Sequence, residues 1–126
     1  MVNEKKMNKR ILVIDDDLVI TKMVESRLKA NGYDPIVSND AATGLEIAIK
    51  KSPDLIILDI MMPIINGYNM CSLLKKEEKS KSIPIIMLTS RSEESDKAIG
   101  KEVGANAYIT KPFNMDDLLK KISELL

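Results

Sequence analysis

At 126 residues, with 44% hydrophobic and 30% charged side chains and nineteen basic residues balancing nineteen acidic ones, the chain has the size and composition of one globular domain. Its apolar runs are too short to span a membrane, and no basic stripe offers a footprint for nucleic acid. The absence of histidine excludes histidine metal sites, Ser-His and Cys-His nucleophile pairs and a phosphohistidine carrier, and the single cysteine, Cys71, excludes an internal disulfide.

Residues 1–10 carry Lys5, Lys6, Lys9 and Arg10 against Glu4, a polar stretch that reads as a solvated leader over 1–8 rather than a signal peptide. ILVI at 11–14 is a short apolar run ended by Asp15, Asp16 and Asp17. Residues 17–31 place Ile20, Val24 and Leu28 at helical spacing, and Asn31-Gly32 stops that helix. Pro35-Ile36-Val37 reads as a strand, and residues 40–51 as a helix with Asp40 a candidate N-cap. LIIL at 55–58 lies between Pro53 and Asp59, and a helix follows over 67–78. IIML at 85–88 follows Pro84, residues 93–103 form a helix ended by Gly104, Ala107-Tyr108-Ile109 is a fifth strand, and 115–126 is a last helix. The strands read as continuous hydrophobic runs rather than alternating ones, which predicts a parallel sheet covered by helices on both faces. With right-handed crossovers the result is a doubly wound, three-layer α/β sandwich.

The polar signals fall at strand ends: Asp15–Asp17 after the first strand, Asp59 after the third, Thr89 and Ser90 after the fourth, Lys111 after the fifth. In open α/β sheets the ligand crevice lies outside the carboxyl ends of the strands. With strand order 2-1-3-4-5, Asp15, Asp16 and Asp59 converge there. Two carboxylates 4 Å apart repel by about 4 kcal/mol at an effective dielectric near 20, so the cluster requires cations. Lys111 offers one charge, and a few oxygen ligands favour Mg²⁺. Helix capping accounts for Asp17 but not for Asp59. A carboxylate beside Mg²⁺ can attack phosphorus, with a lysine and a hydroxyl to neutralise the equatorial oxygens.

ILVIDDD, LIILDIMMP with Asn66-Gly67, IIMLTS and YITKPF, in that order, resemble the receiver domains of two-component response regulators over roughly residues 9–126. The resemblance implies a flavodoxin-like (βα)5 fold with the sheet order 2-1-3-4-5. It also implies phosphorylation of Asp59 by a sensor histidine kinase or phosphotransfer protein, in a cytoplasmic signalling domain that catalyses only its own phosphorylation and dephosphorylation. Mg²⁺ is then held by Asp15, Asp16, Asp59 and the backbone carbonyl of Met61. Thr89 matches the switch hydroxyl, Lys111 the phosphate-binding lysine, Tyr108 the switch aromatic, and Pro112 a proline preceded by a cis bond. Met61 and Arg91 match the positions lining the path of attacking water. Asn66 departs from the aspartate usual before this glycine.

The exposed pair expected on the first helix, Val19 and Met23, suits docking of the phosphoryl donor. The face formed by 93–103, 106–109 and 115–126 is the expected readout for an effector or a second copy of the chain, without direct binding of nucleic acid or membrane. A dehalogenase-type phosphatase reading of Asp15-x-Asp17 lacks acidic residues after the fourth strand and leaves Asp59 unexplained. A flavodoxin reading lacks a hydroxyl-rich phosphate loop, and a receiver without phosphorylation is disfavoured because every site position is filled.

Overall fold

The computed structural model describes residues 8–60, 62, 66–89 and 104–126. Five parallel strands, β1 (Arg10–Ile14), β2 (Asp34–Ser38), β3 (Leu55–Asp59), β4 (Ile85–Thr89) and β5 (Ala107–Thr110), pair in the order β2-β1-β3-β4-β5. Between and after them run α1 (Leu18–Ala30), α2 (Ala41–Lys51), α3 (Gly67–Lys76) and α4 (Met115–Leu125). The helix expected over 93–103 lies outside the described residues.

Side chains of a strand alternate between sheet faces, and here both faces are apolar. Leu12, Ile14, Ile56, Leu58, Ile85 and Met87 meet α2 and α3 on one side. Ile11, Val13, Leu55, Ile57, Ile86 and Leu88 meet α1 and α4 on the other. Strands buried on both faces must read as unbroken hydrophobic runs, as β1, β3 and β4 do. Pro35 is accommodated in β2 because that strand is at the sheet edge and pairs only with β1.

The helix starts follow local chemistry. Asp17 accepts from the amides of Val19 and Ile20, Asp40 from Thr43, Asn66 from Tyr68 and Asn69, and Asn114 from Asp116, each filling an N-cap. Asn66 therefore performs the capping that an aspartate would perform at that position. On α1 the buried residues are Thr21, Val24 and Leu28, with Ile20 only half-buried. The expected core stripe thus gives one place to a polar residue. Thr21 can be buried because its hydroxyl donates to the Leu18 carbonyl and accepts from Asn39.

At the N-terminal ends of the strands, Lys75 Nζ donates to the Ile83 carbonyl at 2.8 Å and to Asn106 Oδ1 at 2.9 Å. The same Asn106 oxygen accepts from the Ile85 amide, so α3, β4 and β5 are tied through one side chain. Burial lowers the Lys75 pKa, partly offset by Cys71 one turn earlier. Cys71 is fully buried, and that burial pushes its thiol up to about 11, which leaves it protonated and inert at neutral pH.

Gly67, the first residue of α3, is required by a close approach. A Cβ there would lie 2.6 Å from both the Asp59 carbonyl oxygen and Ile60 Cα. Both are backbone atoms that cannot swing aside. Gly67→Ala is expected to lower stability by about 1–3 kcal/mol, as overpacking does elsewhere. Urea unfolding should show a reduced midpoint with an unchanged slope; an unchanged midpoint would contradict the tight contact.

Candidate functional site

Each polar residue at this site arrives there because its strand ends there. Asp59 is the last residue of β3 and Thr89 the last of β4, while Asp15 and Lys111 directly follow β1 and β5. The pairing of Ile14 with Leu58 and of Thr89 with Thr110 sets these ends level across the sheet. The Lys111 amide donates to the Thr89 carbonyl, which continues the β4–β5 ladder one step beyond the strands. The bond between Lys111 and Pro112 is cis.

One oxygen from each of Asp15, Asp16 and Asp59 can be chosen so that all lie within 4.8 Å of one another. Asp15 is fully buried, Asp59 is 4% exposed and Asp16 stands at the solvent edge. Lys111 Nζ reaches into the group, 2.9 Å from Asp15 Oδ2 and 3.4 Å from Asp59 Oδ1. Burial of Lys111 pulls its pKa down, but the hydrogen bond and charge of Asp15, with the charge of Asp59, outweigh that and hold it above its usual value. The sign follows: the ammonium contribution is complete below pH about 10.5 and is lost as pH rises through the elevated value.

Three carboxylates against one ammonium leave a formal charge of −2 in a pocket whose walls are largely dehydrated. A small divalent cation neutralises that charge, and an all-oxygen donor set at this spacing is what Mg²⁺ takes, with water filling the remaining positions. Asp15, Asp16 and Asp59 therefore fit a magnesium ion on charge, donor type and separation. Met61, whose carbonyl is the expected fourth ligand, lies outside the described residues, as do Ser90 and Arg91.

The structure brings together Asp15, Asp16, Asp59 and Lys111, with Thr89, 5% exposed, at the end of the adjacent strand. Tyr108 is half-buried on β5, opposite Met87 of β4 and on the α2–α3 side of the sheet. Val19 and Met23 are 77% and 42% exposed on α1, and Leu18 beside them, which periodicity did not single out, is 61% exposed. Sequence reasoning also missed Asn39, whose side-chain amide donates to the Asp15 carbonyl at 2.9 Å from the turn after β2. Its one signal is a run of three polar residues, Ser38 to Asp40, straight after a strand.

The family model of the response regulator receiver domain matches residues 11–123. Among curated relatives, the chain is 39% identical over 117 residues to the DNA-binding dual master transcriptional regulator RpaA of a Synechocystis species, covering 93% of this chain and 48% of that protein. The chain spans about half the length of the curated relatives it matches. Among solved structures, the chemotaxis protein CheY4 of Vibrio cholerae superimposes with a TM-score of 0.89 at 34% identity, over 95% of this chain and 99% of that one. The receiver domain of the Pseudomonas aeruginosa sensor histidine kinase PA1611, solved with a magnesium ion coordinated in its active-site cleft, gives 0.86 at 25% identity, over 94% and 97% of the two chains. Among the described residues, no helix is long and apolar enough to cross a membrane.

Proposed function

The chain belongs to the response regulator receiver domain family, whose members are phosphorylation-based signalling switches, and from that premise we propose that Asp59 is the residue phosphorylated. The single observation supporting this reading is the convergence of Asp15, Asp16, Asp59 and Lys111 at the strand ends, with Asp15 and Asp59 buried. The receiver unit runs from residue 9 to 126, after a leader over 1–8, and works in the cytoplasm.

Asp59 attacks the phosphorus of an incoming phosphoryl group, and the bond to the donor's leaving atom breaks. Asp15, Asp16 and Asp59 would hold Mg²⁺, which would supply charge neutralisation for the transferring group. Lys111 pairs with a phosphoryl oxygen and Thr89 donates a hydrogen bond to another. A sensor histidine kinase or phosphotransfer protein is the donor, docking on the exposed Leu18, Val19 and Met23 beside the cleft. Acetyl phosphate, a small donor, tests the reading without a kinase. Intact-protein mass should rise by one phosphoryl group with Mg²⁺ and remain unchanged when the metal is chelated. Metal-independent labelling would contradict it.

The switch follows from the same contacts. Phosphorylation adds nearly two negative charges and three acceptor oxygens at Asp59. Hydrogen bonds to charged groups contribute about 1.5–3 kcal/mol each, and reversing a 1:99 equilibrium needs about 5.5 kcal/mol of differential binding. A new contact from Thr89 and a strengthened one from Lys111, which already lies 3.4 Å from Asp59, supply part of that value. Movement of Thr89 towards Asp59 vacates space that Tyr108 fills, altering the face of β5 and α4 that an effector or a second copy reads. Thr89→Ala is expected to accept the phosphoryl group yet leave the amide chemical shifts of 107–110 and 115–125 close to their unphosphorylated positions in beryllofluoride. A parental shift pattern in this variant would overturn the coupling route.

A further inference from the structure

We propose that Asn39 is a positioning residue for the Mg²⁺ site, holding the turn that carries Asp15 and Asp16 from the neighbouring β2–α2 connection. The inference rests on the reading of Asp15, Asp16 and Asp59 as magnesium ligands. Asp15 has no exposed surface, and four hydrogen bonds fix it. Its carboxylate accepts from the Asp17 amide at 2.9 Å through Oδ1 and from Lys111 through Oδ2. Its amide donates to the Ser38 carbonyl at 3.1 Å, and its own carbonyl accepts from Asn39 Nδ2 at 2.9 Å. Two consecutive residues, the last of β2 and the one after it, thus grip both sides of Asp15. The gripped carbonyl belongs to the peptide joining Asp15 to Asp16, so holding its oxygen sets the plane from which the Asp16 side chain departs.

The second Asn39 amide hydrogen goes to Thr21 Oγ1 at 3.1 Å. Thr21 is 2% exposed and directs its own proton to the Leu18 carbonyl. Both atoms facing Asn39 are therefore acceptors, and only the NH₂ end of its side chain satisfies them. One exposed asparagine thereby joins the end of β1 to the first turns of α1. Partners that orient metal ligands are commonly worth 10–100-fold in metal affinity. An aspartate of the same size at this position would set a carboxylate against a carbonyl oxygen, beside a pocket already short of positive charge.

The test is a Mg²⁺ titration of the parent, Asn39→Ala, Asn39→Asp, Thr21→Val and Thr21→Ser, followed by the amide shifts of Asp15–Asp17, with thermal unfolding in metal-free buffer alongside. Asn39→Ala should weaken Mg²⁺ binding about tenfold, and Asn39→Asp, which also loses the donor, should not exceed parental affinity despite its added negative charge. Thr21→Val should weaken it, and Thr21→Ser, which keeps the hydroxyl, should restore parental affinity. Phosphorylation by acetyl phosphate in Asn39→Ala should return to the parental rate once Mg²⁺ is saturating. Parental affinity in folded Asn39→Ala overturns this inference alone, even if its unfolding temperature falls. A parent protein without a saturable Mg²⁺ response overturns the metal reading and this inference together.

Discussion

Asp59→Asn is expected to abolish phosphorylation by acetyl phosphate while leaving the metal-free protein as stable as the parent or more so. The two effects share one cause. Asp59 faces the carboxylates of Asp15 and Asp16 and a single ammonium, so its surroundings carry a net negative charge. An isosteric amide removes one member of that repulsion and keeps the shape of a 4% exposed side chain. Substitutions that relieve a strained functional site commonly raise stability by about 0.5–2 kcal/mol, and a gain in that range is expected in chelator. The neighbouring carboxylates do not take over as acceptors: both oxygens of Asp15 are engaged, one by the Asp17 amide and one by Lys111. Mass spectrometry for labelling and urea unfolding with and without Mg²⁺ check both halves. Labelling in Asp59→Asn at the parental level, or a stability loss above about 2 kcal/mol, would contradict the charge argument.

Lys111→Ala should reverse the stability effect and also slow the chemistry. The ammonium is the cation that the described residues place inside the pocket, and its removal leaves fully buried Asp15 and nearly buried Asp59 with no positive partner from β5. Breaking a buried pair by deleting one partner costs several kcal/mol; solvent reaches Lys111, whose side chain is 19% exposed, so a smaller loss of about 1–3 kcal/mol is expected. Removing one preorganised group that meets developing negative charge lowers rates by about 10²–10³-fold, and phosphorylation should fall by about two orders of magnitude. The deficit should persist at saturating Mg²⁺, because the lysine acts on the phosphoryl group as well as on the carboxylates. Phosphorylation within a fewfold of the parental rate would remove Lys111 from the proposed role.

The parts of this fold legible in the sequence are those written in contiguous residues. The runs at 11–14, 55–58 and 85–88 announce doubly covered strands, and Asp17 and Asp40 announce helix starts through local hydrogen bonds. The carboxylate cluster was legible because each member ends a strand or follows one within two residues, so parallel topology brings Asp15, Asp16 and Asp59 to one edge. What stayed hidden depends on pairs distant in the chain. Asn39 meets Asp15 and Thr21 across 24 and 18 residues, and Lys75 meets Asn106 across 31. No periodicity marks such contacts, and the burial of Thr21 in place of Ile20 is their consequence. Gly67 is the same kind of case: Asn66-Gly67 carries turn chemistry, but the need for glycine comes from the backbone of β3 packed against it.

The central claim is that one carboxylate, Asp59, carries the phosphoryl group. An aspartyl phosphate is a mixed anhydride that borohydride reduces to an alcohol, whereas free carboxylates are inert to it. Reducing the protein after acetyl phosphate and Mg²⁺ treatment, digesting it and locating the altered residue by peptide mass spectrometry gives the most direct measurement. The result predicted is a single conversion, at Asp59, that disappears when Mg²⁺ is chelated; conversion at Asp15, at Asp16 or at any residue outside the pocket would contradict the account.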